Sequence, residues 1–161
     1  MTVNQQERLK FEHWLVGFTD GEGCFSVSII KNKTTKSGWQ IFPEFVITQG
    51  ERSLPALRKI EKYFKCGKIY INRRHDNHRE NLYRYCVRSV SDLQTIIVPF
   101  FEKHKLLSDK INDFKRFNKI LKIISAGKHL DQKGMKKIAE IIQTMNRKAP
   151  ARFLESSETT R

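Results

Sequence analysis

Two carboxylates and three glycines are concentrated in residues 15–23, which read LVGFTDGEG. Apolar residues before and within this stretch have the spacing of one buried helical face: Phe11, Trp14, Leu15 and Phe18. The carboxylates Asp20 and Glu22 therefore fall at the end of a predicted amphipathic helix. A glycine inside a helix costs about 1 kcal/mol relative to alanine. Gly17 and Gly21 stand four residues apart, so we expect them to form a smooth patch that a second backbone approaches closely.

The position of Glu22 points to cation chemistry. We expect Gly23 to be the left-handed residue that ends the helix, which makes Glu22 its last residue. A carboxylate is unfavourable there because the helix C-terminus already carries about half a negative charge. Two such helices packed side by side would bring two carboxylates together, an arrangement that bound cations stabilise.

The nonapeptide resembles the signature of the LAGLIDADG homing endonucleases. In that family two signature helices pack at an interface, and the last acidic residue of each binds a divalent metal. The resemblance implies that Glu22 is a metal ligand and catalytic residue, helped by the Gly21 carbonyl. It implies Mg²⁺ as the cofactor, with Mn²⁺ as a substitute and Ca²⁺ supporting DNA binding without cleavage. The implied dimer interface comprises Gly17, Gly21, Trp14 and Asp20.

Only one copy of the motif occurs in the 161 residues, and we find no internal repeat. Because single-chain members of the family carry two copies, we expect a homodimer formed through the motif helix. A chain of this length is large enough to bury a core of its own. We predict a single domain over residues 1–153 and a disordered tail over residues 154–161.

The charge of the chain indicates a polyanionic partner. Lysine and arginine number 31 against 17 acidic residues, a formal net charge of +14. Such a balance favours nucleic acid. The alternative is a solvated surface that serves solubility. We expect no membrane partner, since no apolar run approaches about 18 residues.

Cysteine usage indicates a reducing, intracellular compartment, because the three cysteines are odd in number and form no CxxC pair. An organelle (chloroplast or mitochondrion) and a prokaryotic cytoplasm both stay open. A zinc site from Cys66, His75, His78 and Cys86 is conceivable, but its spacing matches no common pattern.

Hydrophobic periodicity predicts alternating helices and strands. Strands are expected over residues 24–30, 39–49, 68–74 and 82–90, and Pro43 suggests an edge or a bulge in the second. Helices are expected from Ser53 to about Phe64, from Ser91 toward Lys103, over residues 111–124 and over residues 134–147. The order αββαββα is that of the LAGLIDADG fold. The resemblance therefore implies an α+β fold, with a curved four-stranded antiparallel sheet and additional C-terminal helices.

In that family the sheet covers the DNA major groove, which two-stranded ribbons can enter to reach base edges. The polar positions of each strand are then expected to face double-stranded DNA. Arginine reads guanine and asparagine reads adenine with paired hydrogen bonds. The predicted DNA-binding residues are Ser26, Ser28, Asn32, Gln40, Glu44, Lys68, Tyr70, Asn72, Arg74, Arg84 and Arg88. The alternative is that these positions simply face solvent.

Two further catalytic residues follow from the family pattern. Gln49 matches the residue that orients the water network, and Lys110 matches the lysine near the scissile phosphate. Lys103 and Lys105 remain alternatives to Lys110. Arg52 is the nearest candidate for another basic residue of the pattern.

The resemblance implies a site-specific, metal-dependent endonuclease that makes a double-strand break at a long, roughly palindromic target. It also implies an intron-encoded protein, although an intein stays open. Two alternatives use the same scaffold: a maturase that binds intron RNA, and a DNA-binding regulator without cleavage. The acidic motif favours the enzyme, since a pure binding protein has no use for two acids at an anionic interface.

Overall fold

The computed structural model describes residues 2–73 and 81–145. Within them the chain forms two compact units. The first holds the residues up to Cys24 together with Glu44–Ile111. The second holds Phe25–Pro43 and the described residues from Asn112 onward. Each unit is described by itself.

The order of elements confirms the αββαββα prediction. The chain forms α1 (Val3–Glu22), β1 (Gly23–Lys31), β2 (Trp39–Gly50), α2 (Leu54–Phe64), β3 (Lys68–Asn72) and β4 (Leu82–Val87). There follow α3 (Val90–Asp92), a π-helical turn (Leu93–Ile97), α4 (Val98–Lys103), α5 (Lys110–Ser125) and α6 (Gln132–Gln143). The sheet order is β1-β2-β4-β3, and β4 pairs antiparallel with both β2 and β3.

The first unit buries one face of its strands under helices. Phe45, Ile47, Tyr85 and Val87 are all fully buried and share that face by strand alternation. Phe45 lies edge-on to Phe101 of α4, and the Tyr85 hydroxyl donates to the Cys66 carbonyl just after α2. The opposite face of the same strands is therefore the one left to carry polar side chains.

The second unit builds its core around β1 and two helices. Phe25 packs against Phe114 and Phe117 of α5, with ring centroids 5.2 and 5.5 Å apart. Met135 and Ala139 of α6 form a second cluster with Ile29, Trp39 and Ile41. Phe25, Val27 and Ile29 point to the core, so Ser26 and Ser28 alternate to the other face.

The buried face of α1 differs from the prediction. The buried residues are Glu12, Leu15 and Thr19, whereas Phe11 and Phe18 are half-buried and Trp14 is 40% exposed. Trp14 stacks on Phe18 with ring centroids 4.8 Å apart. Periodicity could not identify this face, because two of the polar partners of the buried Glu12 carboxylate, Tyr63 and His104, come from distant parts of the chain.

The prediction that Gly23 is left-handed is wrong. Gly23 has φ −77° and ψ 156°, so it is extended backbone that begins β1 directly. Its lack of a side chain is required for another reason. A Cβ at Gly23 would lie 2.6 Å from the Thr19 Cγ2 and 2.8 Å from the Thr19 carbonyl oxygen. Glu22 is nevertheless the last residue of α1, as predicted.

Several element ends differ from the prediction. The third helix begins at Val90 because the Ser89 hydroxyl, not Ser91, accepts the backbone N–H of Asp92. Strand β4 ends at Val87, so Arg88 follows the strand instead of lying in it. The last helix begins at Gln132, where the Asp131 side chain accepts the Gly134 N–H. Side-chain caps of this kind fix helix starts more locally than apolar periodicity does.

Pro43 precedes the part of β2 that pairs with β4, whose register begins at Phe45. Because β2 lies between β1 and β4, Pro43 is not on an edge strand of the sheet. The predicted tail at residues 154–161 lies outside the described residues. None of the described helices is both long enough and apolar enough to span a membrane.

Candidate functional site

Glu22 and Gly21 are exposed at the C-terminal end of α1. The last carbonyl groups of a helix lack helical donors, so oxygen atoms collect at this end. A carboxylate and a backbone carbonyl are hard oxygen ligands of the kind that Mg²⁺ accepts while it keeps several waters. Across residues 2–73 and 81–145, no three His, Cys, Asp or Glu side chains are grouped so as to hold a metal ion. One chain thus offers a partial oxygen site that fits a hydrated divalent cation.

Lys110 lies beside this helix end. It is the first residue of α5, and its Nζ donates to the Gly23 carbonyl oxygen at 2.5 Å. Gly23 follows Glu22 directly, although 87 residues separate it from Lys110. The structure therefore brings together two of the three predicted catalytic residues.

Asp20 holds the segment that leads to Lys110. Its carboxylate accepts the Leu107 N–H at 2.8 Å, the Ser108 N–H at 3.3 Å and the Ser108 hydroxyl at 2.7 Å. Burial by itself would raise the pKa of Asp20, but the hydrogen bonds from Leu107 and Ser108, with the charge of Lys110, lower that pKa below its ordinary value. The sequence indicated Asp20 only as a dimer contact. Nothing local to the motif shows that residues 107–108 return to it.

Gln49 lies near the end of β2, half-exposed, opposite Tyr83 of β4. By alternation it shares the face of Ile47, the face that carries the core. In the part of the chain that the structure describes, Gln49 makes no hydrogen bond to Glu22 or Lys110. Its catalytic role stays a prediction.

The outer face of the first unit carries most of the predicted DNA-binding residues. The register places Arg84 of β4 between Thr48 of β2 and Tyr70 of β3. By alternation the same face carries Glu44, Lys68 and Asn72. The register therefore places these residues on one face of the sheet, and their contact with DNA stays a prediction. Arg74 lies outside the described residues.

Glu44 joins the two predicted arginine readers. Its Oε1 accepts Arg84 Nη2 at 3.3 Å, and its Oε2 accepts Arg88 Nε at 3.0 Å. The Arg88 guanidinium also lies 5.1 Å from the centre of the Tyr70 ring. Both arginine side chains are 38% exposed, so this ion-pair group lies at the surface of the sheet.

The second unit holds the remaining predicted DNA-binding residues. Asn32 Nδ2 donates to Gln40 Oε1 at 2.9 Å, and Asn32 Oδ1 accepts the Thr34 N–H and hydroxyl. Asn32 therefore shapes the turn between β1 and β2. Ser28 is exposed and Ser26 half-exposed on the face opposite the core.

A network around Glu12 was not predicted. The Glu12 side chain, 3% exposed, accepts Arg8 Nε at 2.9 Å and the Tyr63 hydroxyl at 2.5 Å, and lies 3.5 Å from His104 Nε2. Burial by itself would raise the pKa of Glu12, but the Tyr63 and Arg8 hydrogen bonds, followed by the charges of Arg8 and His104, lower it. The only local signal was the spacing of Arg8 and Glu12, four apart on one helix.

An open cavity of about 870 Å³ lies beside this network and includes Arg8, Glu12, Tyr63 and His104 in its lining. It includes none of Glu22, Gln49 and Lys110. The candidate catalytic residues thus lie outside this cavity.

The four-stranded sheet, the glycine-rich helix and its terminal carboxylate define a LAGLIDADG architecture. The profile of the LAGLIDADG endonuclease family matches residues 15–121, and the chain belongs to this family.

Similar proteins include nucleases encoded in introns. The chain is 33% identical over 134 residues to a probable intron-encoded endonuclease 2 of Neurospora crassa, a match that covers 83% of the chain and 28% of the relative. The chain spans only about a quarter of the length of the first curated relatives it matches.

Solved structures extend the similarity to nearly the whole fold. The homing endonuclease I-TnaI is 40% identical with a TM-score of 0.80, over 93% of this chain and 97% of that one. The structure of I-SmaMI bound to uncleaved DNA target in the presence of calcium ions is 30% identical with a TM-score of 0.81. That match covers 92% of this chain and 49% of the other.

Proposed function

We propose that the chain is a site-specific, metal-dependent DNA endonuclease, a homing endonuclease that makes a double-strand break as a homodimer. The observation that carries this proposal is the contact of Lys110 Nζ with the Gly23 carbonyl, next to the exposed Glu22 at the end of α1. A carboxylate, the last carbonyl groups of a helix and a cation together suit phosphodiester hydrolysis, which needs an activated water and a neutralised phosphate.

The bare surface of α1 supports the homodimer. Gly17 and Gly21 are exposed, and a Cβ at either would meet nothing within 4 Å among the described residues outside its own helical turn. The helix therefore gives up stability at two positions for which the chain's own packing offers no reason. Coverage of 97% of the I-TnaI chain but about half of the I-SmaMI chain suits a protein that supplies one half of a symmetric enzyme.

Mg²⁺ is the cation proposed for the Glu22 site, with Mn²⁺ as a substitute. The Glu22 carboxylate and the Gly21 carbonyl would hold it, together with the same two groups of a second copy. When bound, the cation supplies the activation of water and the neutralisation of the leaving oxygen. Ca²⁺ is expected to support DNA binding without cleavage.

Side chains of the protein would bind the DNA, stabilise charge on the phosphate and position the attacking water. The outer face of the sheet binds the duplex and sets its register, with Arg84 and Arg88 as base readers and Lys68 as a phosphate contact. Lys110 places a positive charge beside the motif, where it stabilises charge developing on the scissile phosphate. Gln49 holds the attacking water by hydrogen bonds. Target double-stranded DNA is thus the proposed partner, in a reducing compartment of an organelle or a prokaryotic cell.

The test compares Glu22→Gln with wild type on a supercoiled plasmid. The plasmid carries the sequence that flanks the gene, joined as it is when the intron is absent. We expect wild type to linearise the plasmid in Mg²⁺ and Glu22→Gln to lose cleavage. We expect the variant to keep specific binding in Ca²⁺, because it lacks only the cation's anchor.

The matched control is Glu7→Gln, which removes one negative charge from the exposed surface of the same helix. It should cut like wild type. A Glu22→Gln protein that still cuts, or a wild type that binds this DNA without cutting it in Mg²⁺, would refute the nuclease proposal. In the second case the regulator without cleavage would be favoured.

A further inference from the structure

The geometry points to Asp20 as a positioning residue for Lys110. We infer that the first acid of the motif acts through a short hydrogen-bond relay, Asp20 to Ser108 to Lys110, which sets the lysine beside the catalytic helix end. This inference rests on the proposed function, since it assigns Asp20 a part in the same reaction.

The relay is continuous in the structure. The Ser108 hydroxyl donates to Asp20 Oδ1 at 2.7 Å and accepts the Lys110 backbone N–H at 3.3 Å. That N–H is the first donor of α5, so Ser108 fixes the start of the helix that carries Lys110. The Leu107 and Ser108 amides, bound to the same carboxylate, fix the chain that precedes it.

The relay starts and ends on the same short segment of the motif. Asp20 lies two residues before Glu22, and the Lys110 ammonium reaches the carbonyl one residue after it. The anchor and the catalytic carboxylate thus move together on one rigid turn of α1. Displacement of a catalytic group by about 1 Å can cost about 100-fold in rate, so an anchor this close to the site affects the rate directly.

The charge of Asp20 matters as well as its shape. The Asp20 carboxylate accepts three hydrogen bonds, two from Ser108 on Oδ1 and one from Leu107 on Oδ2. An asparagine could keep the two bonds from Ser108, but its N–H₂ group would face the Leu107 N–H. Two donors would then face each other at Leu107, so Asp20→Asn should push the Leu107 amide away and displace the segment that leads to Lys110, while it conserves side-chain volume.

The experiment is a double-mutant cycle on single-turnover cleavage in Mg²⁺. In the wild-type background we expect Asp20→Asn to slow cleavage about 10- to 100-fold, the range found for residues that orient catalytic groups. Affinity for DNA in Ca²⁺ should change by less than about twofold. In the Lys110→Ala background the same change should cost less than about twofold, because the residue it positions is gone.

Conservative variants separate positioning from general stability. Ser108→Thr keeps the hydroxyl and should cut at nearly the wild-type rate, whereas Ser108→Ala should be slow. Asp20→Asn combined with Ser108→Ala should be no more than about twofold slower than Asp20→Asn alone. Rate reductions that multiply in either cycle would overturn the inference, as would an Asp20→Asn protein that cuts like wild type.

A measurement without cleavage distinguishes failure of this inference from failure of the proposed function. The Lys110 ammonium protons, held by the Gly23 carbonyl, should exchange slowly enough for an NMR signal in wild type and vanish in Asp20→Asn. Persistence of that signal in the variant would overturn the positioning role. Absence of cleavage by wild type, together with disappearance of the signal in Asp20→Asn, would count only against the nuclease.

Discussion

Glu12 shows how one buried carboxylate fixes the position of a helix. Arg8 on the same helix, Tyr63 on α2 and His104 after α4 all approach it. A buried charge without such partners would cost several kcal/mol, so α1 is stable in this position only while they are present. Because α1 also carries Asp20 and Glu22, the network holds in place the helix that carries the candidate catalytic carboxylate.

Tyr63→Phe tests this network. The hydroxyl donates to a buried carboxylate at 2.5 Å, so we expect its removal to lower the free energy of unfolding by about 1–3 kcal/mol. Urea unfolding at pH 7 followed by circular dichroism measures the change. Tyr83→Phe, on half-buried Tyr83 of β4, is the matched control and should lie within about 0.5 kcal/mol of wild type. Equal destabilisation of the two variants would contradict the network's role.

The alkaline limit of stability should also change at this residue. Burial, followed by the hydrogen bond to Glu12, raises the pKa of Tyr63 from 10 to about 12. Because the folded pKa lies above the unfolded one, the contribution of Tyr63 is complete below pH 10 and is lost as the pH rises toward 12. Melting temperatures between about pH 9 and 12 should therefore fall less steeply in Tyr63→Phe. Parallel curves would rule out this linkage.

At the residue scale, the sequence predicted the local features of the motif but not its long-range partners. Glu22 at the helix end follows from the spacing of apolar residues and glycines. The contacts of Asp20 with residues 107–108, and of Glu12 with Tyr63 and His104, join distant parts of the chain. No local pattern encodes such pairs, so they became visible only in the folded chain.

At the scale of the element, the glycines of the motif differ in their surroundings: two lie in α1 and a third follows it. Gly17 and Gly21 leave open space, whereas Gly23 lies in contact with Thr19. The first two are therefore expected to serve a partner, and the third serves the chain's own turn from helix into strand.

Gly17→Leu separates these roles. We expect the variant to be a monomer without cleavage activity, because a bulky side chain holds the two helices apart. The separated chain should keep its stability, since leucine is a better helix former than glycine by nearly 1 kcal/mol, about the difference between the two in helical peptides. Analytical ultracentrifugation at micromolar concentration, with urea unfolding of dilute protein, measures both effects.

Gly23→Ala is the contrasting variant. A Cβ there would meet backbone at 2.8 Å, so this smaller change should destabilise the separated chain itself. A stable monomer of wild type at micromolar concentration, or a Gly17→Leu protein that remains dimeric and active, would refute the assignment of this helix face.

Strand prediction succeeded better than prediction of element ends. Alternation in residues 24–30 and 82–87 placed Ser28 and Arg84 on the correct face, because one side of the sheet is buried and the other polar. The ends depended on single contacts, such as the Ser89 cap or the close approach of Gly23 to Thr19. Several neighbouring residues could make such contacts, so the sequence alone does not show which of them ends the element.

At the scale of the whole molecule, charge should dominate the affinity for DNA. Each phosphate neutralised adds about 0.9 to the slope of log affinity against log salt concentration. With a net charge of +14 per chain, we expect a steep slope in Ca²⁺. Lys68→Ala, on the outer face of the sheet, should reduce the slope by about one for each phosphate that the lysine neutralises.

Lys59→Ala is the matched control, since Lys59 is also exposed but lies on α2. Fluorescence anisotropy over a series of KCl concentrations gives the slopes. An unchanged slope in Lys68→Ala, or an equal reduction in both variants, would show that the outer face of the sheet is not the one that binds phosphate.

Because Glu44 is paired with both Arg84 and Arg88, its carboxylate would compete with a DNA target for the hydrogen bonds of these arginines. A base edge that binds either arginine must replace a hydrogen bond that Glu44 already supplies. Only the difference in free energy between the two hydrogen bonds then contributes to the affinity for DNA. A DNA sequence with well-placed acceptors would displace Glu44 from the arginines, whereas with other DNA sequences the arginines would stay paired with Glu44. The expected consequence is stringency: modest affinity for DNA in general, and a larger ratio between the affinities for the correct target and for near matches.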